Sequence, residues 1–285
     1  MPQRPVAGVD HTTPGRPAAA PATTHTTPAS EFPTADDPLP TLIVSTPPET
    51  RNETAPQRLD VVLTVLHVQV PRAALPQTQT LWSHLREDLF DGATALRLWE
   101  NGFRVGIGNA EWWDAVHAAL DAIDGVQSAS PAPVRVPPNF PLAFELDAEP
   151  HEQTLFWVPD DGVLTGETWP QSRNVLRVSY ELDLQDLERI RLAVVPEVRQ
   201  NLGGFEWVRR EAGLIQQPKF NGRAFGAAGF RADLEPGEFL LVAPNERADV
   251  YGLLGRAFLA CEQDGQRYDS YVFLRADVNH VAQRN

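Results

Sequence analysis

The residues with the greatest chemical reach are the carboxylates crowded between positions 145 and 161: Glu145, Asp147, Glu149, Glu152, Asp160 and Asp161. Two carboxyls at a fixed separation in a cleft, one kept protonated by burial, would equip an acid hydrolase. Asp160-Asp161-Gly162, however, is a hairpin turn signal, and the others fall in polar connecting stretches, so they read as a solvated surface. Cys261 is the single cysteine. Alone it can form neither an intrachain disulfide nor a cysteine-based zinc site, and beside Leu259 and Ala260 it reads as a small core residue. His67 sits in an apolar run and reads as a satisfied or exposed histidine rather than a base. Gly106-x-Gly108 is the phosphate-loop candidate. Glu111 stands where a dinucleotide fingerprint has its third glycine, and a carboxylate at a helix start favours the helix dipole while repelling phosphate. No Gly-x-Ser-x-Gly elbow, His-Glu-x-x-His pair or Walker loop occurs in the sequence. The expectation is a non-enzymatic protein with no catalytic, cofactor or metal residue. Trp112 and Trp113 are the candidate partner contacts, one of them in the core and its neighbour partly exposed.

The chain has 285 residues and a formal net charge of −14, with Lys219 its only lysine. Neutralising phosphates takes clustered Lys and Arg, so a general nucleic-acid binder is excluded as an expectation. Docking on an anionic membrane by bulk charge is excluded with it. No run approaches the roughly 18 apolar residues of a spanning helix, and Met1–Asp10 shows no apolar centre of a secretory leader. Residues 1–57 are rich in Pro, Thr and Ala, with His11-Thr-Thr-Pro14 echoed by His25-Thr-Thr-Pro28. They read as a disordered tail or tether. Asn52-Glu-Thr54 fits a glycosylation acceptor pattern.

Order is expected from Arg58 onward as one α+β body, β-rich and mostly antiparallel. Leu59–Val70 is dense in β-branched residues and stops at Pro71, which predicts a long strand, with the even-numbered face the drier. Three helices follow as an insertion within residues 72–125. Leu81, Leu85 and Leu89 stack in the first, Ala95, Leu98 and Trp99 in the second, and Val116, Leu120 and Ile123 with one of the tryptophans in the third, which Asn109 can cap. Asn101-Gly102 is a left-handed stop, and Phe103–Gly108 is a short strand. Ser128–Pro141 reads as a proline-rich connector near a boundary at residue 130, beyond which strands dominate. Asn174–Tyr180, Ile190–Val198, Tyr251–Cys261 and Ser270–Ala276 are predicted strands, with Gln263-Asp-Gly-Gln266 a turn. Leu202–Gln217 reads as loop or short helix. The organising stretch is Arg231–Pro244: a strand, a tight Glu-Pro-Gly-Glu turn, and an apolar strand Phe239–Val242 covered on both faces.

These strands carry a resemblance. Leu59–Val70 resembles the first strand of the secretin homology domain of bacterial outer-membrane secretion channels, and Arg191–Val198, with Pro196 and Glu197, resembles that domain's strand with an internal proline and acidic residue. Phe230–Val242, with Gly237, is similar to its strand, turn and apolar strand. Leu253–Phe258, with Leu254, Gly255 and Phe258, is similar to its Leu-Gly-x-Leu-Phe element, and Ser270–Arg275 to its closing strand. The match spans a third to a half of the ordered body. Ala243-Pro244-Asn245 replaces the usual Gly-Gly-Leu, and no hairpin of barrel length is expected. The resemblance implies a pore-less structural or assembly protein that self-associates or joins other envelope proteins. The cytoplasm is the alternative compartment. The rival readings are a β-rich module binding carbohydrate or peptide on Trp157, Trp169 and Trp207, and an acidic hydrolase.

Overall fold

Val and Leu crowd the stretch after residue 58, and in the computed structural model it is one 14-residue strand, β1 (Arg58–Pro71). The structure describes residues 58–281 apart from 138–139, 184–185, 187–188 and 211–212. The tail expected over residues 1–57, with its His-Thr-Thr units and Asn52, lies outside the described residues. After β1 a 3-10 segment, Arg72–Thr78, leads into a single helical turn, α1 (Gln79–Trp82). The first predicted helix therefore ends early. Leu85 belongs instead to β2 (Leu85–Arg86), drawn onto a sheet edge by pairing with Gly108 and Ile107. α2 (Gly92–Glu100) starts at Asp91, whose carboxylate accepts the Ala93 and Thr94 N–H groups at 3.0 and 2.9 Å. Then come β3 (Phe103–Gly108) and α3 (Trp113–Asp121). Asn109 makes no side-chain cap there, because a 3-10 turn, Ala110–Trp112, intervenes.

The connector expected over Ser128–Pro141 holds two short strands, β4 (Gln127–Ser128) and β5 (Ala132–Val136), both paired with β1. β6 (Leu142–Glu145), β7 (His151–Trp157), β8 (Thr165–Leu182), β9 (Ile190–Arg210) and β10 (Gly213–Ala224) follow. Within Leu202–Gln217, the described residues 202–210 and 213–217 are neither loop nor helix: they are paired strand, the far half of the β9–β10 hairpin. Gly203 and Gly204, at φ +72° and +73°, lie beside the register shift between Pro218 and Phe220. They break the period-2 pattern in sequence without breaking the strand. β11 (Phe230–Leu234), β12 (Phe239–Pro244), α4 (Leu254–Leu259), β13 (Ala260–Gln263) and β14 (Gln266–Val281) complete the chain. Tyr251–Cys261, predicted as a strand, is mostly α4, where Leu254 and Phe258 bury the same helical face four residues apart.

The strands form two antiparallel sheets. One runs β2-β3-β12-β14-β1-β4, with β5 also on β1 and β13 also on β14; the other runs β10-β9-β8-β6, with β11 also on β9 and β7 also on β8. Leu63, Val65, Leu240 and Leu274 of the first sheet meet Leu176, Val178, Leu192 and Val194 of the second. On its opposite face the first sheet presents Leu66, Val68, Leu241 and Phe273 to Leu81, Val116 and Leu120 of the helices. The order is helices, sheet, sheet. The drier face of β1 therefore changes partway. Val61, Leu63 and Val65 are buried against the second sheet, and only from Leu66 do the even positions bury against helices. The parts on either side of residue 130 share a sheet, since β1 and β3 pair with β14 and β12. The described residues fall within one unit, Thr54–Asn285.

β11 and β12 do not form a hairpin. Phe230 pairs with Val194 in the second sheet, while Leu240 pairs with Ile107 and Leu274 in the first. The Glu235–Glu238 turn is thus an arch between sheets, closed by the Glu238 N–H on the Glu235 carbonyl at 3.0 Å. β12 is buried along its whole length, as its unbroken apolar run predicts.

Candidate functional site

β9 pairs with β8 only as far as Gln200, opposite Ser172; from Asn201 to Arg210 its ladder partner is β10 alone. Ten residues at about 3.3 Å each carry this hairpin roughly 30 Å past the sheet. Register puts Phe205 opposite Pro218, Trp207 opposite Gln216 and Leu214 opposite Arg209, so the three large apolar side chains share one face. Phe205 and Trp207 of β9 and Leu214 of β10 are 67%, 66% and 64% exposed. Val208 and Ile215 form a second apolar pair on the opposite face. A two-stranded ribbon standing alone in water is marginal, because it buries little to offset chain entropy. Both of its edges are free of a ladder partner among the described residues.

The residues marked by the resemblance lie at separate places in the fold: on β9, in the β11–β12 arch and on α4. Pro196 stands where β9 exchanges β11, paired through Val194, for β10, paired from Glu197. Its carbonyl accepts the Phe225 N–H at 2.8 Å on that side, so the missing N–H of proline interrupts no ladder to β8. Glu197 is buried on the outer face of the sheet. It accepts Arg199 Nε at 2.6 Å and has Arg177 Nε at 3.6 Å. Gly237, at φ +81°, carries the arch, and a Cβ there would lie 2.8 Å from Ala110. Gly255 donates its N–H to the Asn101 carbonyl at 2.8 Å, with its Cα against the backbone of Gly102. Asn101, wholly buried, bonds both the N–H (2.8 Å) and the carbonyl (2.9 Å) of Val158. Leu254 and Phe258 fill the inter-sheet core. These six are structural positions, and they do not converge on one pocket.

Trp112 and Trp113 part as the helical spacing predicts. Trp113 packs edge-on against Phe239 at 4.9 Å, and Trp112, 38% exposed, stacks on His84 at 4.5 Å. Of the proposed binding face, Trp157 and Trp169 are buried in the core and only Trp207 reaches solvent, so the three make no common surface. Gly108 is a packing residue, since any side chain there would land on the Phe239 ring. His67 is half-buried with Nε2 2.9 Å from Ser270 Oγ, and burial lowers its pKa from the ordinary imidazole value.

A cleft of about 190 Å³ lies where β7, α4 and β13 meet. Of the clustered carboxylates, Glu152 lines it, while Glu145 pairs with Arg173 at 2.5 Å and Asp160 with Arg97 at 3.3 Å. Asp161 closes its own turn onto the Val163 N–H. Asp147 accepts the Asn174 N–H at 2.6 Å, and burial pushes its carboxyl above the usual range. Cys261 also lines the cleft. Its thiol accepts Gln69 Nε2 at 3.3 Å, and burial, with Asp147 and Asp269 nearby, raises its pKa and disfavours the thiolate. Below it Asp269, with no exposed side-chain surface, takes Arg72 Nη1 at 2.6 Å and Arg267 Nε at 3.2 Å. Asp249 bridges the same two guanidinium groups at 2.5 and 2.8 Å.

Sequence reasoning missed both the hairpin and the cleft. The first had a faint signal in Phe205-x-Trp207 opposite Leu214; the second is assembled where β7 meets α4 and β13, about a hundred residues later in the chain, which leaves no local mark in sequence. Among the described residues no three His, Cys, Asp or Glu side chains are grouped to hold a metal, and no helix is long and apolar enough to cross a membrane. No family model matches the chain, and neither the curated proteins nor the solved structures include a match.

Proposed function

We propose that this chain is a non-enzymatic assembly protein, a pore-less relative of the secretins associated with the cell envelope, that self-associates through the β9–β10 hairpin. The projecting ribbon with Phe205, Trp207 and Leu214 on one exposed face is the observation that carries the reading. Such a group gains about 1.5–3 kcal/mol per large side chain once covered, and a ribbon with two open edges can pair with a copy on each side. Contacts of that head-to-tail kind close into rings or extend as filaments. Pro196, a position of the resemblance, lies on β9 just before the ribbon leaves β8 at Gln200.

Size-exclusion chromatography with light scattering on the full chain tests this. The expected result is an oligomer that Phe205→Ser with Trp207→Ser converts to a monomer, with the melting temperature of the body little changed. A wild-type chain that stays monomeric at every accessible concentration would refute the reading.

A further inference from the structure

The two edges of the ribbon are not equal. Arg210 pairs with Gly213 across only two residues of chain, which makes them a hydrogen-bonded pair and sets the alternation behind them. Phe205 and Pro218 then form a non-hydrogen-bonded pair, which suits the missing N–H of proline. The peptide groups of Phe205, Trp207 and Arg209 therefore point out of the ladder along β9, and those of Leu214, Gln216 and Pro218 along β10. On the β10 edge Pro218 leaves a gap in the row of donors. Lys219, the only lysine of the chain, stands exposed beside it, and both residues are of the kind that guards a strand edge. The β9 edge has neither from Phe205 to Arg210. Its bulge ends just before that stretch, where the Asn201 side chain takes the Gly203 N–H at 2.8 Å.

We infer that the β9 edge, residues 205–209, pairs with the same edge of a second copy of this chain, antiparallel about a two-fold axis at Trp207. The inference rests on the reading of the ribbon as the element of self-association, and it names the edge that carries the contact. In this register all three outward residues find partners. Trp207 meets its counterpart, and Phe205 of each copy meets Arg209 of the other, a ring against a guanidinium. The two-fold registers on either side leave Arg209 facing the bulged Gly203, or Phe205 facing a position past the end of β9. Pairing turns two marginal two-stranded ribbons into one four-stranded sheet. It also sets the Phe205, Trp207 and Leu214 faces of the two copies side by side, because directly opposite residues share a face. Charge allows the approach: residues 201–220 carry Arg209, Arg210 and Lys219 against Glu206 and Glu211, whereas the whole chain carries −14. Copies therefore meet where the negative charge they share is absent.

Sedimentation equilibrium on the full chain tests this with proline at outward positions, which removes an edge donor and leaves the β9–β10 ladder intact. Arg209→Pro, on the β9 edge, is expected to weaken association roughly tenfold, since each dimer loses two donors. Gln216→Pro, on the β10 edge, is expected to leave it close to wild type. A second measurement needs no proline variant to fold. In a Cys261→Ser background, Glu206→Cys chains are mixed with Val208→Cys chains and oxidised. The inferred register makes these two positions a non-hydrogen-bonded pair with Cα atoms about 4.5 Å apart, within disulfide reach. Intact mass is expected to show the mixed disulfide well in excess of either homodimer. A monomeric wild-type chain would overturn the self-association reading and this inference with it. An oligomer that Gln216→Pro weakens as much as Arg209→Pro does, or one whose mixed disulfide shows no excess, would overturn the inference alone.

Discussion

Replacing Gly255 by alanine probes the joint between α4 and the α2–β3 corner. A Cβ on Gly255 would stand 2.6 Å from the Gly102 Cα and closer still to its carbonyl. Non-bonded carbons settle at about 3.5–4.0 Å, so the two backbones must part by roughly 1 Å. Backbone cannot swing aside as a side-chain tip can. Overpacking of this kind costs about 1–3 kcal/mol. Separation also stretches the Gly255 N–H bond to Asn101 and disturbs the two bonds from Asn101 to Val158, each worth about 1 kcal/mol. The expected loss is about 3 kcal/mol, a drop of roughly 6–12 °C in Tm for a body of this size. Urea unfolding followed by circular dichroism gives the same number independently. Gly92→Ala is the control, because nothing lies within 4 Å of a Cβ there and its helix start tolerates alanine; it is expected within about 0.5 kcal/mol of wild type. A Gly255→Ala chain as stable as that control would refute the close-contact reasoning.

Asp269→Asn removes the buried charge that Arg72 and Arg267 share and is expected to cost about 3 kcal/mol in urea unfolding. Burial holds His67 neutral, so the unfolded chain binds the proton more tightly. Stability is then lost as pH falls below about 6.5, and His67→Gln should flatten that part of a stability–pH curve. Asp147 runs the other way. Its raised carboxyl pKa means the folded state holds the proton more tightly, so stability falls as pH rises from about 4 through the folded value; Asp147→Asn should remove that slope. Cys261, with its thiolate disfavoured, is expected to react with a thiol reagent more slowly at pH 7 than a free cysteine does, and to match it after denaturation.

Local pattern carried much of the fold. β12 is apolar in unbroken sequence because both its faces are covered, one by the second sheet and one by helices. The type of α3 followed from helical spacing, as did one tryptophan packing inward while its neighbour stays partly exposed, though not which of Trp112 and Trp113; Gly237 followed from turn chemistry. Elsewhere tertiary pairing overrode local preference. Leu85 left its helical spacing for a sheet edge beside Gly108. Leu254–Leu259 coiled instead of extending, which buries Leu254 and Phe258 on one helical face in the inter-sheet core. The Gly203-Gly204 pair hid a strand that the β10 ladder enforces.

By itself the sequence determined that this is a β-rich body with mostly antiparallel strands, where proline and glycine punctuate it, and which strand is covered twice. Those properties follow from side-chain period and φ restriction, which act over a few residues. Only the tertiary structure decided that the Glu235–Glu238 turn crosses between sheets, that the β9–β10 ribbon runs past its neighbours, and that β7 meets α4 and β13 at one cleft. Those outcomes depend on which strands meet across more than a hundred residues of chain, and hydrogen bonds between backbones are blind to the side chains a sequence records.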